Sequence, residues 1–179
     1  MNAADKFRTH RTVVDLVLFA VLGGLLFASK IAFEALPNIH PVTMLIMVYT
    51  VVFGWRAMIP VAVFTVISGV YYGFSVWWIP QIYIWFAYVA LTMIIPKNIP
   101  KKAAMIIYPV VCGLCGLIYG TLYAPGQALL FGYTAKQTLA WIMSGLPFDA
   151  LHAAGNLGFG LLVLPLSEVT KKLYKKMIL

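Results

Sequence analysis

The sequence predicts an all-α integral membrane protein with six transmembrane helices. Hydrophobic residues make up 63% of the chain and charged residues only 10%, which lies far outside the range of soluble domains. The apolar residues form long runs separated by proline, glycine and charge, and helices satisfy their own backbone hydrogen bonds in lipid. Basic residues cluster between these runs, as topology signals do. The length of 179 residues fits a single transmembrane domain, 1–179.

The first predicted span is Val13–Leu36, which exceeds the roughly 20 residues that a helix needs to cross a bilayer. The polar and basic stretch Met1–Arg11 precedes it. We do not interpret this start as a cleavable signal, because the apolar run behind it is too long and lacks a cleavage site.

Small residues recur at every fourth position of this first span, and they are Ala20, Gly24, Ala28 and Ala32. They form one smooth stripe, against which another helix can pack closely. Lys30 and Glu34 lie about 200° of helix rotation away from the stripe. The stripe is explained either by packing within the chain or by docking of a partner. The charged pair forms a polar corner near one end of this helix, and snorkelling to the interface explains it.

Five further spans are predicted at Val42–Phe53, Ala57–Tyr72, Gln81–Ile95, Ala103–Tyr123 and Thr138–Leu166. The segment Ala124–Gln137 is mixed in character, and a basic tail follows the sixth span. No internal repeat is evident.

With this arrangement, 11 of the 13 basic residues fall on one side of the membrane, and only Lys30 and Lys136 do not. The positive-inside rule then places both termini in the cytoplasm. The loops on the opposite side are rich in aromatic residues, proline and amides. This composition is typical of the mouth of a ligand site and also of an interfacial aromatic belt.

The sixth span contains Asp149, His152 and Asn156 at positions i, i+3 and i+7, which share one face of a helix. Polar groups at membrane depth normally face the protein interior or a wet cavity. Two interpretations remain open for this triad. It faces a ligand, or it fastens the sixth span to the first or fourth span by hydrogen bonds.

Aromatic and amide side chains concentrate in and just before the fourth span, and they are Tyr71, Tyr72, Trp77, Trp78, Gln81, Tyr83, Trp85 and Tyr88. Aromatic faces with a few polar handles suit a flat ring ligand. Some of these residues are expected in the interfacial belt instead.

Motifs for enzymatic chemistry are missing from the sequence. There is no P-loop, HExxH or GxSxG, and the glycine-rich stretch 155–160 lies within a span without a preceding strand. Cys112 and Cys115 form a CxxC in an apolar run, where a thiolate is costly, so we interpret them as packing residues. His40 and His152 lack a paired carboxylate set. We therefore expect no enzyme activity, metal, cofactor or nucleic-acid partner.

Three segments together resemble a known family. They are Ala20-xxx-Gly24-xxx-Ala28, Leu36-Pro37-Asn38-Ile39-His40-Pro41-Val42-Thr43 and Gly145-Leu146-Pro147-Phe148-Asp149-Ala150-Leu151-His152-Ala153-Ala154-Gly155-Asn156. With six spans and both ends inside, the chain resembles the substrate-binding S component of energy-coupling factor (ECF) type ABC vitamin transporters. The family stripe is usually written with alanines, and Gly24 departs from it while keeping the surface smooth. Cobalamin-type S components of lactic bacteria look most similar, with riboflavin-type components next.

The resemblance implies a bacterial cell-membrane protein, surrounded by lipid, that binds a vitamin outside. A transmembrane coupling protein and two cytoplasmic ATPases then drive its reorientation. It implies that Ala20, Gly24 and Ala28 dock the coupling protein. It also implies an outer substrate site, whose residues would be Asn38, His40, Tyr83, Trp85, Asp149, His152 and Asn156.

Two interpretations from other classes stay open. A small membrane enzyme would use Asp149, His152 and His40, with Glu34 as the one further acidic residue near the surface. A self-sufficient channel or secondary carrier usually shows internal repeats.

Overall fold

The computed structural model describes the backbone of residues 3–178 and the side chains of residues 12–178. Over that range the chain is helical and has no strand, which confirms the all-α prediction. The helices are α1 (Ala3–Ala32), α2 (Val42–Phe53), α3 (Met58–Tyr72), α4 (Trp78–Met93), α5 (Lys101–Leu117), α6 (Tyr119–Phe131), α7 (Ala135–Gly160) and α8 (Val163–Ile178). A short 3₁₀ helix, Gly54–Ala57, joins α2 to α3.

Three helical segments are long and apolar enough to cross a membrane, and they are Thr12–Ala32, Val42–Tyr72 and Lys101–Phe131. A fourth crossing is possible through α7 and α8 together, which meet at a bend of 51°. The helix α4 is apolar but has only 16 residues. The chain is therefore compatible with a multi-pass membrane protein, and the count of six spans stays a prediction.

Within the second segment, α2 runs antiparallel to α1. The Tyr49 hydroxyl lies 3.4 Å from the Leu22 carbonyl oxygen, and the ring of Phe53 lies 5.2 Å from the ring of Phe19. Residues later in α2 therefore contact residues earlier in α1, as expected for antiparallel helices. At 12 residues α2 is about 18 Å long, which is short against a hydrocarbon core of about 30 Å.

The helix α3 runs in the opposite direction, parallel to α1. Val63 packs against Gly23, where an added Cβ would lie 2.6 Å from the valine, and the ring of Tyr71 lies 5.2 Å from that of Phe27. The chain therefore reverses in the 3₁₀ helix, where Gly54 supplies a positive φ of 62° that side chains rarely adopt. This break agrees with the predicted boundary between the second and third spans.

The third segment, α5 with α6, does not reverse. It packs along α7 in antiparallel register, with Gly113 opposite Leu157 near one end and Gly120 opposite Asp149 near the other. The prediction ended this span at Tyr123, but the helix continues to Phe131. Tyr83 of α4 contacts this continuation, and its hydroxyl donates to the Leu122 carbonyl at 2.7 Å.

The predicted basic tail is a helix, α8, that packs across one end of the bundle. The Tyr174 hydroxyl donates to Asp15 at 2.7 Å, and Arg56 forms an ion pair with the same carboxylate at 2.5 Å. We call this end, with residues 54–57, 94–100 and α8, the basic end. The opposite end, with residues 33–41, 73–77 and 132–134, is the loop end.

Candidate functional site

A cavity of about 420 Å³ lies at the loop end. Its walls come from the end of α1, the turn after it, the end of α3, the following loop, α4, α6 and α7. The lining residues are Lys30, Phe33, Glu34, Leu36, Pro37, Asn38, His40, Tyr72, Trp77, Gln81, Trp85, Tyr119 and His152. Its volume falls within the range of about 300–1,000 Å³ that is typical of small-molecule sites.

The inner wall of the cavity is aromatic. Trp85 is 2% exposed, and its ring lies 5.9 Å from that of Tyr119, which in turn lies 5.3 Å from His152. The indole N–H of Trp85 points to the Gln81 side-chain oxygen at 3.3 Å. This bond satisfies the only polar atom of the tryptophan, so its face is free for apolar contact with a ring.

The turn after α1 closes one side of the cavity. Asn38 has a φ of 57°, a left-handed conformation that asparagine tolerates better than most residues. Two residues later His40 meets α7, and its ring lies 5.3 Å from the ring of His152. Among the described residues, neither His40 Nδ1 nor His152 Nε2 has a hydrogen-bond partner, although both atoms are buried.

His40 lies between two of the membrane-spanning segments, in the turn at the loop end. Burial is the main cause that lowers the pKa of His40 from 6.5 to about 4, and the nearby positive charge of Lys30 adds to it. The imidazole is therefore neutral at physiological pH, with one nitrogen that donates and one that accepts a hydrogen bond.

The charged pair at the end of α1 forms a polar corner of the cavity. The Lys30 ammonium lies 4.7 Å from the centre of the Tyr72 ring and 5.5 Å from that of Trp77. The Tyr72 hydroxyl donates to Glu34 at 2.9 Å. Neither Lys30 nor Glu34 was among the predicted site residues, although their rotation away from the stripe was expected.

Four of the seven predicted site residues line this cavity: Asn38, His40, Trp85 and His152. The other three, Tyr83, Asp149 and Asn156, do not. Tyr83 is 39% exposed, and its hydroxyl is used by the α6 backbone. The role of these seven residues in binding a substrate stays a prediction.

Asp149 binds the start of α6. Its two carboxylate oxygens each lie 3.1 Å from the backbone nitrogen of Gly120, which donates to them. The first N–H groups of a helix have no partner within the helix, and a carboxylate there also meets the positive end of the helix dipole. This side chain therefore fastens α7 to α6, rather than to the first or fourth span as expected for a structural network.

Asn156 is 1% exposed, and its amide nitrogen donates to the hydroxyl of Thr43 on α2 at 3.2 Å. His152 and Asp149 are also buried, so the predicted shared face of the triad is correct. The three side chains nevertheless contact different parts of the protein. Asp149 binds α6, His152 lines the cavity, and Asn156 binds α2.

The residue that sequence reasoning missed in the aromatic wall is Tyr119, which falls at the start of α6. It lies within the predicted span Ala103–Tyr123, whose sequence is mostly apolar, so it did not stand out as a candidate site residue. Tyr119 and Tyr123 are one helical turn apart and share a face of α6, and this aromatic pair is a signal that could have identified Tyr119.

The small-residue stripe lies on the outside of the chain. Ala20, Ala28 and Ala32 are exposed, and a Cβ added at Gly24 would meet no atom within 4 Å. Packing within the chain uses the neighbouring Gly23 instead, which faces α3. The stripe therefore lies on the exposed side of α1, away from the helices that pack against this helix.

The cysteine pair is buried and unpaired, with Cys112 Sγ at 3.7 Å from the sulfur of Met47. Within residues 12–178, no three His, Cys, Asp or Glu side chains come close enough together to hold a metal ion.

No protein-family model, no curated protein and no solved structure matches this chain.

Proposed function

We propose that this protein is the substrate-binding S component of an ECF-type ABC importer for a ring-containing vitamin or precursor. The observation that carries the proposal is the aromatic cavity at the loop end. It brings together four residues that the resemblance assigned to a substrate site, from three parts of the chain that are distant in sequence. In the proposal the chain binds its ligand without changing it chemically.

The volume of the cavity limits the size of the vitamin that it can hold. Cobalamin was the first expectation from the resemblance, but its corrin ring and nucleotide arm make it much larger than a flavin. A cavity of about 420 Å³ suits riboflavin or another compact ring compound. Cobalamin binding requires the turn formed by residues 33–41 to move outward.

The exposed stripe supports the second part of the proposal. A smooth face of small residues is how membrane helices approach one another closely, and Ala20, Gly24 and Ala28 present such a face without a partner among the described residues. We assign this face to the transmembrane coupling protein, which would connect the chain to two cytoplasmic ATPases. The proposal includes six spans in a bacterial cell membrane, with both termini cytoplasmic.

The direct test is titration of the purified protein and its Trp85→Ala variant with riboflavin and with cobalamin. Loss of a buried aromatic contact should weaken binding by about ten- to a hundredfold. Trp55→Ala is the matched control, because Trp55 is 53% exposed at the basic end and should leave the affinity unchanged. Equal affinities in the parent and the Trp85→Ala variant would place the substrate site elsewhere.

A further inference from the structure

The polar corner of the cavity contains Lys30 and Glu34, whose opposite charges attract each other without forming an ion pair. Within residues 12–178 the ion pairs are Arg56 with Asp15 and Lys101 with Glu168, and Lys30 takes part in neither. Glu34, one helical turn away, is exposed at the rim and accepts a hydrogen bond from Tyr72. The half-buried ammonium of Lys30 thus has two aromatic faces beside it and three N–H groups without an acceptor.

Other polar groups of the cavity wall also have hydrogen-bond donors available for a ligand. The Gln81 oxygen already accepts from Trp85, and the amide nitrogen of Gln81 makes no hydrogen bond within the described part of the chain. His40 and His152 make no hydrogen bond to any other side chain among the described residues, and the neutral ring of His40 offers one N–H and one acceptor nitrogen. The cavity wall therefore offers a ligand several hydrogen-bond donors close to Lys30.

From these donors and aromatic faces beside a cation that forms no ion pair with the described residues, we propose that the ligand is a planar ring compound that carries an anionic group. The carboxylate or phosphate of the ligand contacts Lys30 and His40, while its ring lies against Trp85 and Tyr119. An anion at this position accepts hydrogen bonds from these donors and compensates the charge of Lys30 in a partly dry site. The inference rests on the proposed function and specifies its substrate class.

The experiment uses two pairs of probes that differ in charge but share a ring. Nicotinate is compared with nicotinamide, and flavin mononucleotide with riboflavin, by titration of the purified full-length protein. In at least one pair the anionic member should bind at least about tenfold more tightly. The Lys30→Gln variant should bring that pair within about threefold, because it should weaken binding of the anionic member more than that of the neutral member, and Lys30→Arg should keep the preference.

Lys136→Gln is the matched control, because Lys136 is exposed at the start of α7 and its loss removes the same charge at the same end of the bundle. It should leave the preference intact. The thermal unfolding temperature of Lys30→Gln, compared with that of the parent protein, shows whether this variant folds.

The outcomes separate this inference from the proposed function. If neutral rings bind as well as anionic ones, and their binding is lost in Trp85→Ala, the charge inference is wrong and the proposed function stands. If the preference for the anion survives Lys30→Gln, the assignment to Lys30 is wrong. If none of the four probes binds, both the inference and the proposed site are contradicted.

Discussion

The imidazole ring of His40 lies 5.3 Å from that of His152, with the ring planes at 67° to each other. His40 belongs to the turn after α1, whereas His152 lies in the middle of α7. The contact therefore holds the turn against the long helix, at the boundary of the cavity. Ile39 of the same turn packs against Gly155 of α7, so an outward movement of the turn breaks both of these contacts.

The stripe on α1 gives the first prediction. Gly24→Leu should block assembly with the coupling protein while leaving ligand binding and thermal stability nearly unchanged, because a Cβ added at Gly24 meets no atom of the described chain within 4 Å. Co-purification of the coupling protein and the ATPases measures this effect.

Gly145→Leu is the control for this change, since Gly145 on α7 is equally open and lies away from the stripe. Gly23→Leu should instead lower the stability of the isolated protein, because it would push into Val63. Normal assembly of the Gly24→Leu variant would mean that the stripe does not dock this partner.

Asp149 gives a prediction about stability rather than binding. Asp149→Ala removes the acceptor of the Gly120 N–H, and an unpaired buried donor costs about 1–3 kcal/mol. The unfolding temperature should fall, whereas the affinity for a ring ligand should change less than in Trp85→Ala. Asp149→Asn retains one acceptor oxygen and should recover part of the loss. A variant of normal stability that no longer binds ligand would place Asp149 in the site instead.

His40 gives a prediction about pH. Its pKa is lowered to about 4 in the folded protein, so the unfolded chain binds more protons between pH 6.5 and about 4. Stability should therefore be highest above about pH 6.5 and decrease as the pH falls through this window. Thermal unfolding across the window measures the slope, which should be smaller in His40→Gln. An identical slope in both proteins would show that His40 is not buried as described.

Much of this arrangement follows from local sequence patterns. The helical spacing of Asp149, His152 and Asn156 placed all three on one buried face, because helical periodicity depends only on sequence separation. What each member contacts could not be predicted in the same way. Asn156 meets Thr43 on α2, and that partner depends on how the helices pack rather than on any local pattern.

The stripe and the polar corner show the same limit. Gly23 and Gly24 are adjacent, and the sequence alone favoured Gly24 for close packing because it falls in the four-residue repeat. The structure uses Gly23 for packing against α3, since the rotation of α1 is set by its larger buried residues Phe19, Leu22 and Leu26. That same rotation brings Lys30 into the cavity, where no spacing rule could place it.

Mass spectrometry of the protein purified from its native membrane tests the central claim most directly, because it identifies retained ligand and bound partners together. The proposal predicts one ring-containing vitamin or precursor per chain, together with a transmembrane coupling protein and two ATPases. It also predicts that Trp85→Ala loses the ligand but keeps the partners, and that Gly24→Leu does the reverse. A retained ligand without a ring, or a ring compound that persists at full occupancy in Trp85→Ala, would contradict it.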